Sequence, residues 1–217
     1  MGEPAFESLD PLVKEMADPL RTLMDNFSNV SRGGDYAANR YEKPKEYHAA
    51  IYSAAQEFEA LGNAYMDAIK GMADEQIEAE EAKMKEEGRL IAYNASHAIT
   101  IAQKIQDEYT AQGVTDENIT ELDLTNIRPL YEELIGVVND LNAACADNDQ
   151  MIMESMSNSK PFDGLYDRMI QALEWTIKQV ESGRPLEDIH LEPLGSLAHF
   201  SNTLSDCINR YNTVIVE

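Results

Sequence analysis

Apolar residues return at every third or fourth position along almost the whole chain, the period of an amphipathic helix. Phe6, Leu9, Val13, Met16, Leu20, Leu23, Phe27 and Val30 make one uninterrupted stripe. Asp10-Pro11 and Asp18-Pro19 each read as a capping residue followed by proline at the first helical position. The first helix is therefore expected to open at Pro11, to kink at Pro19 and to end at Gly33-Gly34. Asp35 to Lys45, with Tyr36 and Tyr41, reads as a loop, and Pro44 suits the opening turn of the next helix.

The second stripe is Ile51, Phe58, Leu61, Tyr65, Ile69 and Met72. From Asp74 to Glu87 it thins, because Glu80 and Glu87 stand where apolar residues should be. Only Ile77 and Met84 persist, in a series of sevens that runs on through Ile91, Ala98 and Ile105. Two architectures satisfy this pattern: one helix from about Pro44 to Ala111, or a hairpin turning at Gly71. The single helix is favoured, since Gly71 is isolated, no turn cluster follows it, and Ala, Glu, Lys, Met and Gln are strong helix formers. It would be about 100 Å long.

Gly113 to Asp123 is dense in Thr, Asp and Asn and reads as a loop. Thr125 or Asn126 is expected to cap a third helix with the stripe Ile127, Leu130, Leu134, Val138, Leu141 and Cys145. That helix should bend through Asp147-Asn148-Asp149 and resume through Ile152 and Met156. A fourth, from near Pro161, carries Leu165, Met169, Leu173, Ile177 and Val180 and stops at Gly183. A fifth opens at Pro193 with Leu197, Leu204, Ile208, Tyr211 and Ile215. No segment alternates as a strand would. The expected fold is all-α: an elongated bundle of about five helices with one very long central helix, forming a single domain over residues 1–217. Residues 72–88 should project from it as an acidic part of the long helix.

Charge narrows the function classes. Forty acidic residues face 17 basic ones, a formal net charge of −23. With no basic face, nucleic-acid binding is not expected, nor an electrostatic grip on anionic lipid. The first ten residues show neither a basic n-region nor an apolar core, so no signal peptide is read there.

Candidate chemistry is sparse. A carboxylate-bridged metal bundle needs two Glu-x-x-His pairs on facing helices, and only Glu187 and His190 match, in a segment read as loop. His48, His97 and His199 read as ordinary helix histidines. The cluster Asp74, Glu75, Glu78, Glu80, Glu81, Glu86 and Glu87 lacks the spacing of a calcium loop and reads as a solvated helix face. Asp147, Asp149 and the loop acids Asp116, Glu117 and Glu121 read the same way. No catalytic residue, cofactor or metal ligand is assigned, and an enzyme is not expected. Cys145 and Cys207 have no metal spacing, leaving two reduced thiols or one disulfide between facing stripes. Trp175 lies off the core stripe, and with Ile77 and Met84 it is a candidate partner contact.

The segment Tyr36 to His48, the acidic helix leading into GRLIAYNASHAITIAQKI (Gly88 to Ile105) and the terminal NRYNTVIVE resemble the YiiG-like family of bacterial lipoproteins, whose domain has no assigned function. The likeness covers nearly the whole chain and rests on element order, on Gly88 and Tyr93, and on Tyr211-Asn212. It implies an all-helical fold, export across the inner membrane and a lipid anchor, although the lipobox cysteine is not in this sequence. The expected function is thus a non-catalytic binding or scaffolding module, periplasmic or at the cell surface. Its partner would be a protein or another cell-envelope component, its membrane attachment only through the lipid anchor, and the chain itself a monomer. The alternative is a cytoplasmic acidic adaptor or chaperone that binds a partner helix.

Overall fold

The computed structural model describes residues 6–31 and 42–216, and every regular element among them is helical. The expected stop at Gly33-Gly34 and the loop tyrosines Tyr36 and Tyr41 lie outside the described residues. The backbone divides into two compact units, residues 1–79 and 80–217.

The first unit holds α1 (Asp10–Ser31) and most of α2 (Glu42–Glu86, 45 residues). Helix α1 begins at Asp10 and carries Pro19 within it, where the ring is buried. Burial in this unit is shallow. Leu9, just before α1, and Leu12, Met16 and Leu23 within it are half-buried, as are Phe58, Leu61 and Tyr65 of α2. Val13, Leu20, Met24 and Phe27 stay exposed although they continue the apolar pattern.

The second unit contains the turn that ends α2. Gly88 takes φ +71°, its N–H donates to Lys85 O at 3.2 Å, and the Arg89 N–H donates to Met84 O at 2.8 Å. These two bonds form a Schellman cap, in which a left-handed residue turns the chain out of the helix. Helix α3 (Leu90–Ala111) starts immediately afterwards. The long helix therefore ends at Glu86 instead of running to Ala111, and the break is at Gly88, not Gly71. Beyond the turn the chain folds back: Glu81 and Ser96 are 15 residues apart yet hydrogen-bonded at 3.1 Å. In a continuous helix they would be separated by about 22 Å. The series of sevens concealed the break because a three-residue turn leaves its register nearly intact.

Helix α3 is the centre of this unit. Ile91, Ala95, Ala98, Ile101, Ala102 and Ile105 are fully buried, and the small residues let neighbouring helices approach closely. It packs most extensively on α4 (Ile127–Ala146), whose stripe residues Ile127, Leu134, Val138 and Leu141 are buried in the core as expected. Helices α6 (Leu165–Ser182) and α7 (Leu197–Tyr211) pack on each other, and α7 also meets α3. The start points differ from expectation. Helix α6 opens at Leu165 rather than near Pro161, and α7 opens after Ser196, whose hydroxyl accepts the His199 N–H at 2.9 Å. The loop 113–123 contains a 3-10 helix, Asp116–Glu121, closed by a capping box between Thr115 and Asn118. Asn126 stands at the N-cap of α4 but makes no capping bond; its amide donates to Glu108 instead.

Two local conflicts lead to stability predictions. The short helix α5 (Asn148–Met153) ends in a Schellman-type turn with Ser155 at φ +56°, a conformation a side chain disfavours. Ser155→Gly should stabilise the protein by about 0.5–1 kcal/mol. The check is an upward shift of the urea midpoint with an unchanged slope. Tyr166 is buried among α4, α6 and α7 residues of the core, and its hydroxyl has no hydrogen-bond partner among the described residues. Tyr166→Phe removes that unsatisfied donor and should raise stability by about 1 kcal/mol. A loss on thermal melting would show that the hydroxyl has a partner, such as an ordered water.

Candidate functional site

The polar centre of the second unit lies where the last turns of α2 fold back on α3. Glu81, read from the sequence as one of a solvated acidic run, is 7% exposed. It faces one side of α3, where Ser96, His97 and Thr100 lie within a single turn. The Ser96 hydroxyl donates to Glu81 Oε1 at 3.1 Å and the Thr100 hydroxyl at 2.8 Å. His97 Nδ1 meets Glu81 Oε2 at 2.9 Å, so this nitrogen carries the proton that the carboxylate accepts. The other ring nitrogen, Nε2, lies 3.8 Å from Glu133 Oε1 of α4. Burial by itself would raise the Glu81 carboxyl, but the hydrogen bonds from His97 and Thr100, the charge of His97 and the bond from Ser96 together hold it below its ordinary value. The group is a charged brace that fastens α2 to α3.

A second pair of residues fixes the same turn from a distance. Arg89, the N-cap of α3, makes no side-chain capping bond. The vacant role is filled by Glu154, which accepts the Ile91 N–H at 2.7 Å and the Ala92 N–H at 2.9 Å. Gln150 donates to the Gly88 carbonyl at 2.8 Å and to Glu154 at 2.6 Å. The carboxylate thus neutralises the positive end of α3, and the amide ties the turn to α5. Asp116 repeats the device at α7, accepting the Leu197 N–H at 2.6 Å. Asp116 and Asp147, read as solvated acids, are both caps: Asp147 accepts the N–H groups of Asp149 and Gln150 at the start of α5. No sequence signal could have found Glu154, which reaches a helix start more than sixty residues away.

Beside this brace a groove of roughly 550 Å³ runs between α3 and α4. The rings of Tyr93 and His97 stack 5.4 Å apart, and the Lys85 ammonium sits 5.1 Å from the Tyr93 centroid. Asp140 and Asp147 stand at its α4 side, over Val137 and Ala144.

The residues singled out from the sequence do not converge. Ile77 is half-buried in the first unit, while Met84 is half-buried in the second, with the Tyr211 hydroxyl 4.0 Å from its sulfur. Trp175 is half-buried on α6, its ring 6.0 Å from that of His199. A Cβ on Gly195 would come within 3.0 Å of the Trp175 carbonyl, so the turn before α7 is pressed against this part of α6. Cys145 and Cys207 are free thiols. Burial pushes Cys145 up to about 11 and Cys207 up to about 12, which leaves both poor nucleophiles at neutral pH. Among the described residues no three His, Cys, Asp or Glu side chains gather as a metal site. No helix among them is long and apolar enough to cross a membrane.

Neither the curated proteins nor the solved structures include a match to this chain. One family does match, over residues 2–213, and it is described as a protein of unknown function. On that near-complete span, the chain belongs to the DUF3829 family.

Proposed function

We propose that this chain is a non-catalytic binding or scaffolding module, the exported part of a YiiG-like bacterial lipoprotein held at the cell envelope by a lipid anchor. The observation that carries the binding role is the apolar face of α1; export and the lipid anchor rest on the sequence resemblance. Val13, Leu20, Met24 and Phe27 follow helical spacing, yet Met24 is 62% exposed and Phe27 56%. Around them, among the described residues, stand Glu7, Asp10, Glu15, Asp18 and Asp25 against Lys14 and Arg21. That combination suits a protein partner offering an apolar helix bordered by lysine or arginine. The two thiols held protonated at neutral pH, and the structural use of Glu81, Glu154 and Asp116 as braces and caps, support a role that is not catalytic.

The test is a photo-crosslinking residue at Met24 in the full-length precursor, expressed in bacteria with lipid labelling. Lipid incorporation, membrane fractionation and one discrete crosslinked band, lost in the Val13→Ser, Phe27→Ser variant, are expected. An unlabelled cytoplasmic protein would overturn the export reading, and a diffuse or absent crosslink would overturn the docking role of α1.

A further inference from the structure

The groove between α3 and α4 holds a polar group that the protein itself leaves without a partner. Asn94 is 7% exposed and lines the groove, and its side-chain amide makes no hydrogen bond to any described residue. Among the described residues only the Tyr166 hydroxyl is a wholly enclosed side-chain polar atom without a partner, so the Asn94 amide stays in contact with the groove, where water or a bound molecule supplies its bond. The neighbouring brace does not account for it, because Glu81 is satisfied by Ser96, His97 and Thr100 without it.

The surroundings of Asn94 specify what that molecule carries. Asp140 is exposed and forms no ion pair or hydrogen bond with the described residues. Asp147 uses Oδ1 to cap α5, which leaves its second oxygen for another donor. The two carboxylates are seven residues apart, two helical turns, or roughly 10 Å along α4. Between them the wall is Val137 and Ala144, apolar and without a competing donor. Tyr93 and Lys85 close the opposite side, and because the Lys85 ammonium lies 5.1 Å from the Tyr93 centroid, a bound cation is confined to the Asp140 and Asp147 side. The chain's net charge of −23 raises the local concentration of any cation.

We propose that this groove binds a linear alkyl polyamine. The terminal ammonium groups pair with Asp140 and Asp147, the methylene segments lie on Val137 and Ala144, and the Asn94 carbonyl oxygen accepts from an internal ammonium. A peptide with basic side chains fits less well, because its backbone would bring alternating donors and acceptors to a wall that offers a single unengaged amide. The site lies in the second unit and does not depend on the docking face of α1.

Calorimetric titration of the intact chain with spermidine in moderate salt tests this. Saturable one-to-one binding is expected, weakened at least tenfold by Asn94→Ala and at least tenfold by the Asp140→Asn, Asp147→Asn pair. Asp147→Asn retains the ability to cap α5. A control pair, Glu187→Gln with Asp206→Asn, removes the same charge elsewhere and should leave affinity within twofold. Butylamine, with one ammonium group, should bind at least a hundredfold more weakly than spermidine. Thermal melts of each variant confirm folding, and if Asn94→Ala fails to fold, Asn94→Ser takes its place. The proposal is overturned by the absence of saturable binding, by an equal loss in the control pair, or by a lysine-rich peptide that outcompetes spermidine.

Discussion

Glu81→Leu is expected to destabilise the protein by about 3 kcal/mol, because it removes one acceptor from three donors at once. Ser96, His97 and Thr100 all point at this carboxylate, and leucine leaves them facing a hydrocarbon in a largely buried position. Glu81→Gln keeps an acceptor oxygen and should cost about 1 kcal/mol. Urea denaturation of the three proteins measures the series. The same group predicts a pH dependence. Its folded-state value lies below the ordinary 4.5, so its contribution is complete above that value. As pH falls further the unfolded chain takes up its proton first, and the contribution is lost as pH passes through the lower folded-state value. The advantage of the wild type over Glu81→Gln should therefore shrink in acid. A leucine variant as stable as wild type would show that the cluster does not brace the turn.

Glu154→Ala should cost about 2 kcal/mol, more than a typical helix cap, because one carboxylate serves two backbone N–H groups and an amide. The loss should be local before it is global. Hydrogen exchange is expected to accelerate at Ile91 and Ala92, while the amides of α6 keep their protection. Gln150→Ala, which releases only the Gly88 carbonyl and one side of Glu154, should cost less. Uniform exchange across α3 and α6 in Glu154→Ala would mean that the cap is not separable from the core.

These two residues also show where reading the chain residue by residue stops. The stripes Ile127, Leu134, Val138, Leu141 and Met169, Leu173, Ile177 were legible because helical burial imposes a period that neighbouring residues reveal. Gly183 as the stop of α6 was legible for a similarly local reason, since a left-handed C-cap favours glycine. Gly88 carried the same signal, but the series from Ile77 to Ile105 outweighed it. Glu81 sat among carboxylates of identical local character, and only the fold-back at Gly88 gives it donors.

The sequence by itself determined that this protein is built of helices, which stripes of α4, α6 and α7 are turned inward, and that its composition is strongly acidic. Those properties follow from the period of apolar residues and from composition, both of which are local. The tertiary structure decided which acidic residue is a brace, which are caps, and which amide is left unpartnered in a groove. A carboxylate's environment is set by groups brought to it from 15 to more than 80 residues away, and no spacing along the chain records that meeting.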